Sequence, residues 1–200
     1  MGAQDRRARE RAERQDRVVE AARVLAERDG WSAVTTRRLA DEIEYTPPVL
    51  YQHFPGGRDE IVTAVAMLGF AEFVASVSGD SVSGDTDSEG RVGGLIDAYL
   101  AFAQRNPATY EAMFAMPIAA RFAHDETPEI MRRAFSTFVE ALGGGDALGE
   151  DVGVQVRAEL LWSALHGVCE LRRCGRLDPS MESARRAELV ALFAARSLTD

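Results

Sequence analysis

From Arg17 onward, apolar residues recur three and four positions apart. Val18, Ala21, Ala22 and Leu25 form one such stripe and Gly30 stands where it ends, which predicts an amphipathic helix over roughly 5–29. Leu39, Ala40 and Ile43 continue the pattern in a helix of about eight residues behind Thr35, whose hydroxyl suits an N-cap. After the turn at Glu44-Tyr45, Thr46 and Pro47-Pro48 introduce a third helix. A proline disfavours helical geometry in the residue before it, so the first turn is expected to start at Pro47 or Pro48. Phe54-Pro55-Gly56-Gly57 breaks the chain, and a long apolar helix follows over about 58–76 with Asp59 and Glu60 at its dipole-favoured start.

The same grammar predicts helices over about 90–105, 107–115 (opened by Asn106-Pro107), 128–142 (opened by Thr127-Pro128), 150–174 and 180–197. No stretch alternates with the period of a strand. The expected fold is all-α with nine helices: a three-helix helix-turn-helix head over 1–56, and a helical ligand-binding and dimerisation core over 57–200. Residues 3–16 are charged with mixed sign and no apolar face, a frayed helical extension or a mobile arm. Residues 76–90 contain SVSGD twice in tandem, are rich in Ser, Gly and Asp, and are expected to be a loop.

Composition alters this picture in few places. The 200 residues are 46% hydrophobic and 28% charged, a globular balance with ample core. No window of roughly 18 uncharged apolar residues is expected to span a membrane, and the arginine-rich start lacks a signal-peptide core, so a cytoplasmic location is expected. The formal charge is −9, but it is uneven. Residues 1–58 carry 11 Arg against 10 acidic residues, and the remainder 12 against 22. Cys169 and Cys174, about 140° apart on a helix, are expected to be buried or half-buried free thiols. Asp80, Asp85, Asp87 and Glu89 lack the ligand order of a calcium loop, so no metal is expected, and no cofactor is implied.

Thr35 to Arg58 carries the chemistry. A helix that reads DNA places its N-terminal residues at base edges while neighbouring side chains grip phosphates. Thr46, Val49, Tyr51, Gln52 and His53 offer hydroxyl, methyl, amide and imidazole groups on such a helix, and Gln52 alone there can read adenine bidentately. Residues 15–68 resemble the DNA-binding domain of TetR/AcrR-family regulators in Gly30, Thr35, Leu39-Ala40, the turn before Thr46, Leu50-Tyr51-Gln52-His53-Phe54 and Arg58. The resemblance implies that Thr35, Thr36, Arg37, Thr46, Pro47, Val49, Tyr51, Gln52, His53 and Arg58 face DNA, with Phe54 in the core. Glu44 stands where that family's turn commonly has Gly, Tyr45 replaces a small aliphatic, and Pro48 is a second proline.

In the C-terminal half, Trp162-x-x-Leu165-His166-Gly167 resembles the WHG-type ligand-binding domain of a subgroup of the family, which implies that His166 faces an effector cavity. Phe70, Phe73, Tyr99, Phe102, Tyr110, Met113, Phe114, Phe122, Phe135, Phe138 and Trp162 are candidate lining for a mostly apolar effector. Helices 8 and 9 resemble the family's four-helix dimer interface. The implied function is a ligand-responsive repressor that binds a palindromic operator on double-stranded DNA as a homodimer and is released by a small molecule. The rivals are an interaction module of this fold that has lost DNA binding, and a small all-α enzyme using His166 with Glu170, for which no nucleophile or metal constellation is present.

Overall fold

The computed structural model describes residues 2–77, 87–120, 126–144 and 152–194. Asp80 and Asp85, most of the SVSGD tandem, Phe122, Gly145 and the outer ends of the last two helices lie outside them. The described residues form nine α-helices: α1 (Ala3–Asp29), α2 (Thr36–Glu42), α3 (Pro47–His53), α4 (Gly57–Val77), α5 (Ser88–Arg105), α6 (Pro107–Phe114), α7 (Glu129–Ala141), α8 (Val152–Arg173) and α9 (Glu182–Ala194). Short 3₁₀ turns at Trp31–Ala33 and Pro179–Met181 precede α2 and α9, and no strand occurs among the described residues.

The helices begin and end for local reasons. Gly30 closes α1 at φ 79°, a conformation that costs glycine little. The Thr35 hydroxyl accepts the Arg38 amide at 3.2 Å, the expected cap of α2. Pro47 is inside α3 at its first position, so the second proline does not displace it. The Thr46 hydroxyl makes no capping bond; its carbonyl instead accepts the Val49 and Leu50 amides.

The chain divides into two compact units, neither contiguous in sequence: residues 1–70 with 106–128, and 71–105 with 129–200. In the first, Val18, Ala22 and Leu25 of α1 pack with Val34, Leu39, Leu50 and Phe54 under the helix-turn-helix, and Ile61 and Val65 of α4 complete the core. An exposed ion-pair network ties α1 to α2: Arg28 reaches Asp29 at 3.1 Å and Glu42 at 3.3 Å, and Arg38 also pairs with Asp29. The Arg28 hydrogen bond, then the neighbouring guanidinium charges, hold the Asp29 carboxyl below the usual carboxylate range.

In the second unit α5 packs against α7, α8 and α9. Val92, Leu95, Ile96, Tyr99 and Phe102 meet Met131, Phe138, Leu161, Leu165 and Leu189 in its core. Arg186 of α9 grips Asp97 of α5 with both carboxylate oxygens, at 2.5 and 2.6 Å. Gly93 lets that guanidinium approach, since a Cβ there would stand 3.1 Å from Arg186 Nη2.

One expectation holds with a qualification and one needs correction. No stretch of about 18 uncharged apolar residues occurs, since α4 carries Arg58, Asp59, Glu60 and Glu72. Yet α4 is long and apolar enough by length and composition to cross a membrane, with a mean hydropathy of 1.7 over its most apolar 18-residue window. Half of that window is buried within the protein, which is the situation of a core helix. Cys174, expected to be at least half-buried, is exposed, because it follows the last turn of α8; Cys169 is half-buried, and neither forms a disulfide.

Candidate nucleic-acid interface

α2, a four-residue turn and α3 form the helix-turn-helix. Ile43 ends α2, Glu44 takes a left-handed φ of 57°, and the Tyr45 amide bonds back to the Ala40 carbonyl at 2.8 Å. This is a Schellman closure, which wants Gly where this chain has Glu44. Glu44 is the one non-glycine at positive φ among the described residues, so the turn keeps its shape and the backbone carries the strain.

α3 buries Leu50 and, at its end, Phe54, and turns Thr46, Pro47, Pro48, Tyr51 and Gln52 outward, with Val49 half-buried. Tyr51 is 49% exposed, with nearly half of its surface open to solvent. Across the turn, Thr35 and Arg37 are exposed and Thr36 is half-buried at the start of α2. Together they put hydroxyl, amide, methyl, aromatic and guanidinium groups at exposed or half-buried positions of α2 and α3.

Two residues expected on that surface are not there. His53 is only 7% exposed, and its Nδ1 is buried without a hydrogen-bond partner. The cause is α1, whose Gln15 donates its side-chain amide to the His53 carbonyl at 3.1 Å and closes over the end of α3. Burial, and then the positive charges of Arg11 and Arg14, push the imidazole below its ordinary pKa. Arg58 is turned inward as well. Its guanidinium donates to the Val34 and Trp31 carbonyls, each at 3.0 Å, and lies over the Trp31 ring with 6.0 Å to the centroid. It satisfies the carbonyls of the α1–α2 connection instead of standing free for phosphate.

The aromatic candidates fall into two groups. In the first unit Phe114 meets Phe70 edge-on at 5.5 Å and Tyr110 at 4.8 Å, with Met113 buried beside them. In the second, Phe73 contacts Tyr99, Phe102 and Phe138 at 5.7 to 6.0 Å, and Trp162 lies 6.4 and 6.5 Å from Phe135 and Phe138. Trp162 and His166 are half-buried on α8. Glu170, which an acid–base role with His166 would need, is bound by Arg173 at 2.6 Å. That bond holds its carboxyl low, with His166 contributing less.

Sequence reasoning missed Glu27, one carboxylate that accepts three hydrogen bonds from the start of α6. The Ala108 amide donates at 2.9 Å, and the Thr109 amide and hydroxyl at 2.8 Å each. Beside it the Trp31 indole donates to the Ala108 carbonyl at 2.8 Å. The partners are about eighty residues apart, so no local signal marked them.

Residues 18–65 match the family model of bacterial regulatory proteins of the tetR family, and residues 92–195 match the Tetracyclin repressor-like C-terminal domain. The chain belongs to the TetR family. The helix-turn-helix lies within the residues that match the family's regulatory-protein model. Among curated relatives, the HTH-type transcriptional repressor KstR of Mycobacterium tuberculosis is 28% identical over 135 residues, 67% of this chain and 60% of KstR. The chain thus spans well under two thirds of that relative. An uncharacterised HTH-type regulator of the same organism is 25% identical over 179 residues, 89% of this chain and 78% of the relative. A TetR-family regulator from Streptomyces coelicolor has the same fold, with TM-score 0.68 and 18% identity, covering 94% of this chain and 99% of that one. A TetR variant from Acinetobacter baumannii, solved with minocycline, matches with TM-score 0.60 and 20% identity over 88% of this chain and 92% of its own.

Proposed function

We propose that this TetR-family member is a non-enzymatic, cytoplasmic repressor. Residues 1–56 read a palindromic operator, and residues 57–200 bind a small, mostly apolar effector and hold two copies together. The observation that carries the DNA-reading part is the half-exposed Tyr51 beside exposed Gln52, on a helix whose opposite side is anchored by Leu50 and Phe54. Tyr51, Gln52, Thr46, Pro47 and Val49 meet base edges and flanking phosphates, and Thr35, Thr36 and Arg37 hold the backbone from α2. His53 serves from within, as part of the packing under α3.

The effector reading rests on the aromatic residues of α5, α7 and α8, with Trp162 and His166 of the WHG-like sequence on the half-buried face of α8. Effector release requires a coupling of only about 1–3 kcal/mol between the two sites. α4 is the proposed lever, since its single helix supplies residues to both compact units. The Acinetobacter neighbour was solved in complex with minocycline, a small molecule.

The test is a gel shift on DNA upstream of the protein's own gene, at low salt and with about 0.3 M salt added. A specific complex that weakens steeply with salt is expected, because phosphate contacts release counterions. Tyr51→Ala with Gln52→Ala is expected to abolish the complex with helicity unchanged. A wild-type protein that gives no specific, salt-sensitive shift would sink the reading and favour an interaction module.

A further inference from the structure

We propose that the N-terminal three turns of α1 are a second DNA-contacting element, in which Arg7, Arg11 and Arg14 form a stripe that binds the phosphate backbone beyond the end of α3. The inference rests on the DNA-binding reading above and extends it to residues outside the helix-turn-helix.

The extension is helical from Ala3, continuous with the part of α1 that packs in the core. Its face assignment follows from the helix itself. Val18, Ala22 and Leu25 are buried at 0%, 0% and 1% exposure and mark the inner side of α1. Arg7, Arg11 and Arg14 each lie about three helical turns before one of them, and so fall on the same side. There the core has run out and all three are exposed. The apolar face of α1 therefore continues as a basic one, flanked by Gln4 and Gln15.

The acidic residues of the segment stand elsewhere. Asp5, Glu10, Glu13 and Asp16 are all more than about 60° around the helix from the mean direction of the stripe. The balanced charge of the segment hence hides a strong separation by face. The ion pairs of α1 involve Glu20, Arg23, Arg28 and Asp29, farther along.

The stripe's place beside α3 is fixed by a contact. Gln15, next to Arg14, holds the His53 carbonyl at the last turn of the reading helix. Arg11 and Arg14 are close enough for their charges to act on the His53 ring. Three guanidiniums spread over roughly 10 Å of helix thus extend the reading surface in a protein whose overall charge is −9. Duplex DNA, with one charge per roughly 1.7 Å of axis, is the polyanion that lies against that surface when α3 is seated.

The experiment uses full-length protein and a duplex enriched by the wild type from a random pool. Arg7→Gln/Arg11→Gln/Arg14→Gln is compared with Arg6→Gln/Arg9→Gln/Arg17→Gln, which removes the same charge from other faces of α1. Glutamine keeps helix propensity, and circular dichroism checks that both variants retain the extension. The stripe variant is expected to lower the slope of log K against log salt by about 2 to 3 for each bound subunit and to weaken binding at least tenfold at about 0.1 M salt. The other variant is expected to keep the wild-type slope. Equal slopes and affinities for the two variants, alongside a wild type that binds specifically, would overturn the stripe and leave the DNA-binding reading standing. A pool that yields no enriched duplex would overturn the DNA-binding reading itself.

Discussion

Glu44 is the residue at which this chain's departure from its family acquires a physical cost. Its backbone sits at φ 57°, and its side chain is exposed and forms none of the hydrogen bonds that hold the turn. A left-handed residue with a Cβ costs roughly 1–2 kcal/mol, whereas Gly loses some of that advantage to unfolded-state entropy. Glu44→Gly is therefore expected to raise stability by about 1 kcal/mol, read from the shift of a urea midpoint at unchanged slope. It also removes a negative charge from the reading face, so DNA affinity should rise. A destabilised variant would show that the Glu44 side chain does something the turn geometry omits. This strain was legible in the sequence, because a Schellman closure is local and its demand for glycine can be read one residue at a time. The burial of His53 was not. Its neighbours on α3 predict an exposed position, and α1, whose Gln15 lies nearly forty residues away in sequence, reverses it.

Helix boundaries follow the same division. Thr35, Pro47 and Gly30 set starts and stops by capping, by a fixed φ and by a permitted left-handed φ, and each acts within a turn of itself. The attachment of α6 to α1 depends instead on Glu27, which substitutes for an N-cap that Asn106 does not provide. An acceptor on one helix caps another, and no local pattern announces it. Glu27→Ala leaves two amides and the Thr109 hydroxyl without their acceptor, at about 1–3 kcal/mol for a buried group so stranded. We expect a loss of about 2–3 kcal/mol in chemical unfolding. Glu27→Gln, which keeps one carbonyl oxygen, should lose less than half of that. Equal losses for the two would assign the effect to the charge, and no loss would remove Glu27 from the packing of this unit. Gly69 adds a reason for the fit of α6 to be exacting: a Cβ there would stand 2.6 Å from Met113 Sδ and 2.7 Å from Thr109 Cγ2. Thr109 is fully buried and tied to Glu27, so the space cannot open without disturbing that bond.

For the molecule as a whole, the unbalanced surface is on its last two helices. Val152, Val156 and Leu160 recur four apart along α8 and are exposed, as are Leu171 near its end, Met181 just before α9 and Leu192 on α9. Leu160 is 57% and Leu192 69% exposed, whereas Leu161, Leu165 and Leu189 on the same helices are buried. α8 thus has a satisfied face and an unsatisfied one, α9 adds Leu192, and single exposed leucines would need no comment where five large apolar residues on one helix pair, with Met181 just before α9, do. A second copy of the chain supplies the same two faces, so two-fold pairing buries both at once and suits an isologous interface. Burying a leucine stabilises by roughly 1.5–3 kcal/mol, and the charge of a glutamate in its place would be stranded in the contact. Leu160→Glu with Leu192→Glu is expected to convert a dimer into a monomer in sedimentation equilibrium, with far-ultraviolet dichroism unchanged because neither side chain is in the core. DNA affinity should fall with it by well over tenfold, since a palindrome then binds two heads independently instead of one linked pair. A double variant that still sediments as a dimer would move the interface off α8 and α9. A wild type that sediments as a monomer at micromolar concentration would remove the two-fold operator from the proposal and leave the helix-turn-helix to read a single half-site.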